Sequence, residues 1–455
     1  MKDHYHRTKY CHPLTNYKGN TMANLMSKFR SEYLKTSNIG AKGEIVSLPT
    51  GLDIIDLSNG AKDPQTGDLH IGMREGHFIC FVGDTGTGKS TLAQQMAYGI
   101  VQPFQNGLVN VLDLERAYQK PRMKNLYAKG DPELLKRFEE QVGNPLNIDV
   151  YLDDIRQMLA DTAKFKEEHK ADLMETFTDV NGKTVEVMAP TIFLIDSVAA
   201  MVSRDRAGTV ESGVNDNNMS HSQQAIENSQ FVTKIMNIMF KYNIYVFFCG
   251  HITTKVNTNA MDKRPSAFPW LAPEENLKGG KAVWYFADYM VRIHKGTMLH
   301  DPEKDYGIHG FINKIQVLKS RGNDSGISYP LVFELSRGYD NLLSNVQFLI
   351  EQKKIATGTR SYLESMPDIK FTKKTVREVC AQHPELEQAI AEEVYKIFES
   401  HMPTIEQDGS QKAEDAPLEE GVDPNDVLEK SANVPGDSKS VGAVKVRLGG
   451  RLAKK

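Results

Sequence analysis

A glycine-rich octapeptide constrains the fold of this 455-residue chain more than any other feature of its sequence. Residues 83–90 read Gly-Asp-Thr-Gly-Thr-Gly-Lys-Ser and fit the pattern GxxxxGK(S/T). An apolar run over 77–83 precedes them and a helical pattern over 89–101 follows. Glycines let backbone N–H groups close around a phosphate, and the N-terminus of the helix adds positive potential. The motif therefore predicts a nucleotide-binding loop between a buried strand and a helix.

Two side chains of this motif, and one at the end of another strand, predict how phosphates and a metal ion would be held. Lys89 would reach the β- and γ-phosphates, and the Ser90 hydroxyl can bind Mg²⁺. An apolar strand over 191–195 ends in Asp196, which would orient Mg²⁺ and its water. The predicted nucleotide contacts are Gly83, Asp84, Thr85, Gly86, Thr87, Gly88, Lys89, Ser90, Thr91 and Asp196.

Two more polar residues stand after apolar, strand-like runs. Glu115 follows the run 108–114, where a carboxylate can orient an attacking water or accept its proton beside the γ-phosphate. His251 follows the run 244–249 and Gly250, where its side chain could hydrogen-bond the γ-phosphate; a purely structural histidine is the alternative. On the functional interpretation, both side chains act at the terminal phosphate.

Strand-like and helical patterns alternate from residue 44 onwards. The apolar, β-rich runs cover 77–83, 108–114, 191–195, 244–249, 289–293 and 311–318. Continuous apolar strands separated by helices predict an α/β fold with a mostly parallel central sheet that helices cover on both faces. Within 174–190, Asn181-Gly182 stands between alternating residues, which predicts a β-hairpin inserted at the surface.

The chain divides into four predicted parts. Residues 1–43 form a leader with an amphipathic helix over 21–35, which would pack on its own domain or dock on a neighbouring subunit. Residues 44–350 form the α/β core, 351–402 a small helical module, and 403–455 a disordered tail. The tail carries ten acidic and two basic residues over 403–438, and then six basic residues over 439–455.

Composition narrows the class of protein. The formal net charge of −4 sums over a near-neutral body, an acidic segment and a basic tip, so it does not exclude contact with nucleic acid. No apolar run approaches the roughly 18 residues of a membrane span, and the first 20 residues do not read as a signal peptide. The four cysteines form no CxxC pair, which is typical of a reduced, cytoplasmic protein.

Taken together, these motifs resemble the RecA recombinase family, and most closely the UvsX-like recombinases of tailed bacteriophages. The resemblance covers about residues 44–350, and within that range it includes the segments 47–56, 195–200, 279–282 and 319–321. It implies a RecA-like ATPase core that uses ATP and Mg²⁺, forms a helical filament on single-stranded DNA and pairs it with double-stranded DNA. It also implies a place in the host-cell cytoplasm, with single-strand-binding and mediator proteins as further partners.

The resemblance assigns roles residue by residue. Glu115 matches the catalytic glutamate, and His251 stands where UvsX-like proteins have histidine, coupling the γ-phosphate to the loop that follows. Lys319 and Arg321 match the pair of basic residues that reach into a neighbour's ATP site, so Glu115, Lys89, His251, Lys319 and Arg321 form the predicted catalytic set. The family's adenine-stacking aromatic falls in register near Met123, with Tyr118 or Tyr127 as substitutes.

Two segments match the family's DNA-binding loops, 205–220 and 253–278. In the second, basic side chains would neutralise phosphates and aromatic side chains would stack on bases. The predicted DNA contacts are Lys255, Lys263, Arg264, Phe268, Trp270 and Lys278. The acidic segment 403–438 is expected to restrain DNA loading, as the acidic tail does in this family.

Two other functions remain open on the sequence. A hexameric replicative helicase shares this core, although it would place a sizeable domain before the loop, where this sequence has only residues 1–76. An ATP-binding scaffold without catalysis is the other alternative, and the presence of Glu115 argues against it.

Overall fold

The computed structural model describes residues 46–402, apart from 64–65, 116–117, 119–122, 125, 127–131, 143–150, 198–229, 237, 255–269, 273, 278–280, 301–307, 324 and 359. The predictions made for residues 1–43, for the loop 205–220 and for the tail 403–455 lie outside the described residues.

The described residues contain one large central sheet. Eight strands follow one path through it, and a ninth, β11 (Glu275–Leu277), pairs with β10 (Ile244–Thr254). In spatial order the eight are β15 (Gly338–Asp340), β14 (Ser328–Glu334), β13 (Ile308–Lys319), β12 (Tyr289–His300), β5 (Phe78–Gly83), β10 (Ile244–Thr254), β9 (Thr191–Asp196) and β6 (Leu108–Asp113). The strands from β12 to β6 run parallel, and β13, β14 and β15 continue the sheet antiparallel.

Helices cover both faces of the sheet. Those of the core are α1 (Asp53–Ser58), α2 (Lys89–Val101), α3 (Pro132–Gln141), α4 (Leu152–Glu168), α5 (Lys170–Leu173), α6 (Lys281–Phe286) and α7 (Asn341–Glu351), with further helical residues at 230–236 and 238–241. Alternate side chains of β5 enter different hydrophobic clusters: Ile79 and Phe81 pack with α2, whereas Phe78, Cys80 and Val82 pack with α4. This two-sided burial explains the continuous apolar run, and it confirms the predicted α/β class with a mostly parallel sheet.

Short strand pairs border the core. These are β1 (Ser47–Leu48) with β4 (Met73–Arg74), β2 (Ala61–Lys62) with β3 (Leu69–His70), and the hairpin β7 (Met174–Thr178) with β8 (Thr184–Met188). The hairpin confirms the prediction from Asn181-Gly182. Its turn is fastened to β3, because the Asn181 side chain exchanges two hydrogen bonds with the Leu69 backbone (2.8 and 2.9 Å).

The segment 351–402 is only partly the helical module that the sequence predicts. A small antiparallel sheet comes first, of β16 (Ile355–Ala356), β17 (Ser361–Leu363) and β18 (Met366–Phe371), followed by α8 (Val376–Gln382) and α9 (Pro384–Glu399). α9 packs against the core, and Phe398 stacks on Phe348 of α7 with ring centroids 5.2 Å apart. None of the described helices is long and apolar enough to cross a membrane.

Candidate functional site

The carboxyl ends of four neighbouring parallel strands bring the predicted site residues together. His251 on β10 lies in register with Gly83 at the end of β5. Asp196 at the end of β9 lies in register with Asp113 of β6, and its carbonyl accepts the backbone N–H of Glu115 (3.2 Å). Because parallel strands end at a common edge, the separate motifs of the sequence form one site there.

The glycine-rich loop connects β5 to α2 in the predicted way. Gly86 and Gly88 have φ values of +76° and +87°, in the left-handed region that glycine adopts without strain. Thr87 Oγ1 and Lys89 Nζ both donate to the Asp84 carbonyl oxygen, at 3.0 and 2.6 Å. The loop therefore curls around its own lysine, which lies at the start of α2.

The Lys89 ammonium group can exchange its hydrogen bond with the Asp84 carbonyl oxygen for one with a phosphate. Its side chain is buried, and that burial lowers the pKa of its ammonium group, while the nearby Asp196 and Glu115 carboxylates oppose the shift. A ligand anion would compensate the buried charge more fully than the single carbonyl of Asp84 does.

The antiparallel half of the sheet braces the loop from behind. Asn313 Nδ2 of β13 donates to the Thr87 carbonyl oxygen and to Tyr339 Oη, both at 2.9 Å. The Tyr339 backbone in turn exchanges hydrogen bonds with the side chain of Gln95 on α2 (2.5 and 2.9 Å). Sequence reasoning missed this support, and its only signal was an asparagine inside the apolar run 311–318.

Glu115 and His251 are in direct contact. His251 Nε2 lies 2.9 Å from Glu115 Oε1, and the Ser197 hydroxyl donates to the same oxygen. Ligand atoms of Glu115, His251 and Asp196 all lie within 4.8 Å of one another. The structure thus joins three predicted residues into one cluster and adds Ser197, which sequence reasoning had not assigned a role.

Asp196 and Ser90 lie close enough to hold a metal ion between them. The Ser90 hydroxyl hydrogen-bonds the buried Asp196 carboxylate. Burial raises the pKa of Asp196, and this hydrogen bond opposes the shift. Hydroxyl and carboxylate oxygens are the ligands that Mg²⁺ prefers, so the donor set fits the predicted ion.

A cleft of about 350 Å³ opens over these groups. Its polar side is formed by residues 85–91 with Glu115 and His251, and its apolar side by three residues that we call the apolar wall: Phe311, Phe333 and Leu335. The rings of Phe311 and Phe333 stack at an interplanar angle of 22°, and Leu335 is 44% exposed. Such a cleft suits a ligand with phosphates at one end and a flat apolar group at the other.

The residues predicted for the adenine contact do not lie on the described part of this cleft. Met123 is buried in the core, and Tyr118 lies beside Val111 and Phe138 in a separate small cavity. Burial raises the pKa of Tyr118 to about 12. Neither residue lines the described part of the cleft, and Tyr127 lies outside the described residues.

Lys319 and Arg321 lie at the opposite end of the sheet. Arg321 Nε lies 2.7 Å from Asp288 Oδ1, and Asp288 Oδ2 accepts the backbone N–H of Phe78 (2.8 Å), the first residue of β5. Gly83 ends the same strand, about 17 Å further along at roughly 3.3 Å per residue. Lys319 Nζ donates to the carbonyl oxygen of Tyr285 (2.5 Å). The structure does not bring either cation to the cleft of its own chain.

Of the predicted DNA contacts, only Trp270 is described. It is partly buried, and its carbonyl oxygen accepts a hydrogen bond from Arg292 (3.2 Å). Arg292 also forms a two-pronged ion pair with Glu275 (2.6 and 3.0 Å), at the base of the β10–β11 hairpin. The others, Lys255, Lys263, Arg264, Phe268 and Lys278, lie outside the described residues.

Comparison with known proteins adds no assignment to this geometry. The chain matches no protein-family model and no curated protein. The functional conclusion therefore depends on the chemistry of the cleft.

Proposed function

We propose that this chain is a DNA-dependent ATPase of the RecA recombinase type, which assembles on single-stranded DNA and exchanges strands between homologous DNA molecules. One observation supports it most: a glycine-rich loop with a buried lysine, the Ser90 hydroxyl and a hydrogen-bonded glutamate line a single cleft, and Ser90 hydrogen-bonds the buried Asp196 carboxylate. That combination is what the transfer of a phosphoryl group to water requires.

In this proposal ATP lies along the cleft with its base on the apolar wall and its phosphates on the glycine-rich loop. Lys89 leaves the Asp84 carbonyl and binds the β- and γ-phosphates. Ser90 and Asp196 would hold Mg²⁺ through their oxygen atoms, and the ion would neutralise charge on the phosphates.

Glu115 acts on the water that attacks the γ-phosphorus. The water oxygen bonds to phosphorus, the bond from phosphorus to the bridging oxygen of ADP breaks, and the water proton passes to the Glu115 carboxylate. The Ser197 hydroxyl donates to Glu115 Oε1 and so holds the direction of the carboxylate. The products are ADP and phosphate.

His251 gives the site a short connection to the predicted DNA loop. It belongs to β10, and three residues further on Thr254 pairs with Glu275 at the base of the segment that contains the predicted contacts. A change in the partner of His251, from Glu115 to a γ-phosphate, would act directly on this hairpin. ATP binding and DNA binding are coupled by this route in the proposal.

Lys319 and Arg321 complete the site of a neighbouring subunit. Their place at the amino end of the parallel strands puts them out of reach of their own cleft. Two copies stacked head to tail would bring the cations of one to the nucleotide of the other, where they neutralise charge in the transition state.

Electron microscopy tests this proposal. The protein is mixed with single-stranded DNA and either a slowly hydrolysed ATP analogue or no nucleotide, and a Lys89→Ala variant serves as the control. We expect helical filaments with the analogue and none with the variant, together with ATP hydrolysis that DNA stimulates. Closed six-fold rings would favour a helicase instead, and the absence of ATP-dependent assembly would overturn the proposal.

A further inference from the structure

A compact ion cluster links the C-terminal helices to the nucleotide cleft. Arg377 of α8 contacts Glu334 Oε2 and Asp340 Oδ2 through the same nitrogen, at 2.7 Å each. His309 Nε2 lies 3.1 Å from the other oxygen of Glu334, and Arg337 Nε lies 3.9 Å from Oε2. Glu334 is only 5% exposed, so its charge depends on these partners.

The two carboxylates belong to the turn that carries the apolar wall. Glu334 stands between Phe333 and Leu335, and the turn then returns through β15 to Asp340. The other oxygen of Asp340 caps α7 by accepting the backbone N–H of Leu343 (2.8 Å). Arg377 therefore closes the turn from outside by bridging both of its ends.

The phosphate side of the cleft is braced by different residues. The Thr87 carbonyl oxygen is held by Asn313, and Gln95 holds the Tyr339 backbone. Arg377 is not a partner in either brace, although Tyr339 belongs to the turn that Arg377 closes. A loss of the arginine would leave the Glu334 and Asp340 carboxylates without their shared cation. Their repulsion would move the turn more than the glycine-rich loop, because Asn313 of β13 holds the Thr87 carbonyl oxygen directly.

We propose that Arg377 is a positioning residue: it holds the turn that carries the apolar wall, on which the base of the nucleotide lies. Helix α8 thereby contributes to the affinity of the cleft for the nucleoside. The inference rests on the proposed function of the cleft as an ATP site. It goes beyond that function because it separates binding of the nucleoside from binding of the phosphates, and assigns the first to a contact with the C-terminal helices.

The test compares ATP with inorganic tripolyphosphate in the full chain. Arg377→Met keeps much of the side chain and removes the charge. We expect it to raise the KM for ATP by about tenfold, which corresponds to about 1.4 kcal/mol, with kcat unchanged and a clearly smaller rise in the inhibition constant of tripolyphosphate. Arg377→Lys restores a charge and should recover part of the loss. Lys396→Met, which removes an exposed ion pair within α9, is the matched control and should change nothing.

A second variant keeps the test decisive if Arg377→Met folds poorly. Glu334→Gln combined with Arg377→Met removes the buried carboxylate together with its partner, so it should bind ATP better than Arg377→Met alone. Equal losses for ATP and tripolyphosphate, or an unchanged KM for ATP, would overturn the inference alone. Failure of the wild-type chain to bind ATP would overturn the proposed function, and this inference with it.

Discussion

Replacement of Gly88 by alanine tests whether the shape of the loop sets nucleotide affinity. The φ of Gly88 is +87°, and a Cβ there would lie 2.6 Å from Tyr339 Oη. The left-handed conformation costs a residue with a Cβ roughly 1–2 kcal/mol. Displacement of the tyrosine would also break its 2.9 Å hydrogen bond with Asn313, at a cost of about 1 kcal/mol. The sum of roughly 2–3 kcal/mol predicts a loss of ATP affinity on the order of 30- to 150-fold.

A double-mutant cycle with Tyr339→Phe separates the two contributions. Without the hydroxyl, the nearest atom of this ring to the new Cβ is Cζ at 3.5 Å, an ordinary contact. Gly88→Ala should therefore cost roughly 1 kcal/mol less in the Tyr339→Phe background than in the wild type. Calorimetric titration with an ATP analogue and Mg²⁺ measures affinity, and thermal unfolding checks that each variant folds. Strictly additive losses, or wild-type affinity for Gly88→Ala, would refute the reasoning.

Three further predictions concern the catalytic role of Glu115, the buried carboxyl group of Asp56, and the action of Arg321 on a neighbouring subunit. Glu115→Gln should lower kcat for ATP hydrolysis by roughly 10²- to 10⁴-fold and leave ATP binding intact; unchanged turnover in a steady-state assay would remove its catalytic role. Asp56 is buried, and burial raises its pKa from 3.8 to about 7. The folded state therefore holds this proton more tightly than the unfolded state, so stability that is present below pH 3.8 is lost as the pH rises to about 7. At about 1.4 kcal/mol per pKa unit the loss approaches roughly 4 kcal/mol, and Asp56→Asn should flatten this part of the profile in urea titrations, whereas equal slopes for both proteins would contradict the assignment. Lys89→Ala and Arg321→Ala should each abolish DNA-stimulated ATP hydrolysis, and a mixture of the two should regain part of it because mixed interfaces pair an intact loop with an intact arginine; a mixture as inactive as its components would argue against action between subunits.

The parallel half of the site could be predicted from sequence because its residues obey a simple spatial rule. Asp196, Glu115 and His251 each follow an apolar run, and the ends of parallel strands meet at one edge of the sheet. The runs themselves were recognisable because both faces of these strands are buried, which makes them apolar throughout. The local sequence was therefore enough to predict each strand and the functional residue at its end.

The antiparallel half could not be predicted in the same way. The apolar wall comes from β13 and the end of β14, more than 200 residues after the loop, and no local motif marks its residues as facing the cleft. The segment around Met123, where the resemblance places an aromatic contact, turns inward: the Tyr118 backbone N–H donates to the Asp113 carboxylate (2.7 Å) and Met123 enters the core. The strands β16 and β17 were missed because they have only two and three residues, and β18 was missed because most of its side chains are exposed or half-buried and form no apolar run.

The two ends of the central sheet limit the assemblies that this chain can form through its nucleotide. The cleft lies at the carboxyl ends of the parallel strands, and Arg321 is tied through Asp288 to the amino end of β5. If Arg321 acts on the nucleotide of another copy, the contact is of one of two kinds. In a symmetric dimer each copy offers both its cleft and its cations to the same neighbour, and the assembly closes at two subunits. In a head-to-tail contact each subunit offers its cleft to one neighbour and its cations to the next, and repetition of that contact gives a helix or a closed ring. The proposed filament requires the second kind, so a closed dimer in the micrographs would contradict the filament even if Arg321 still acted between subunits.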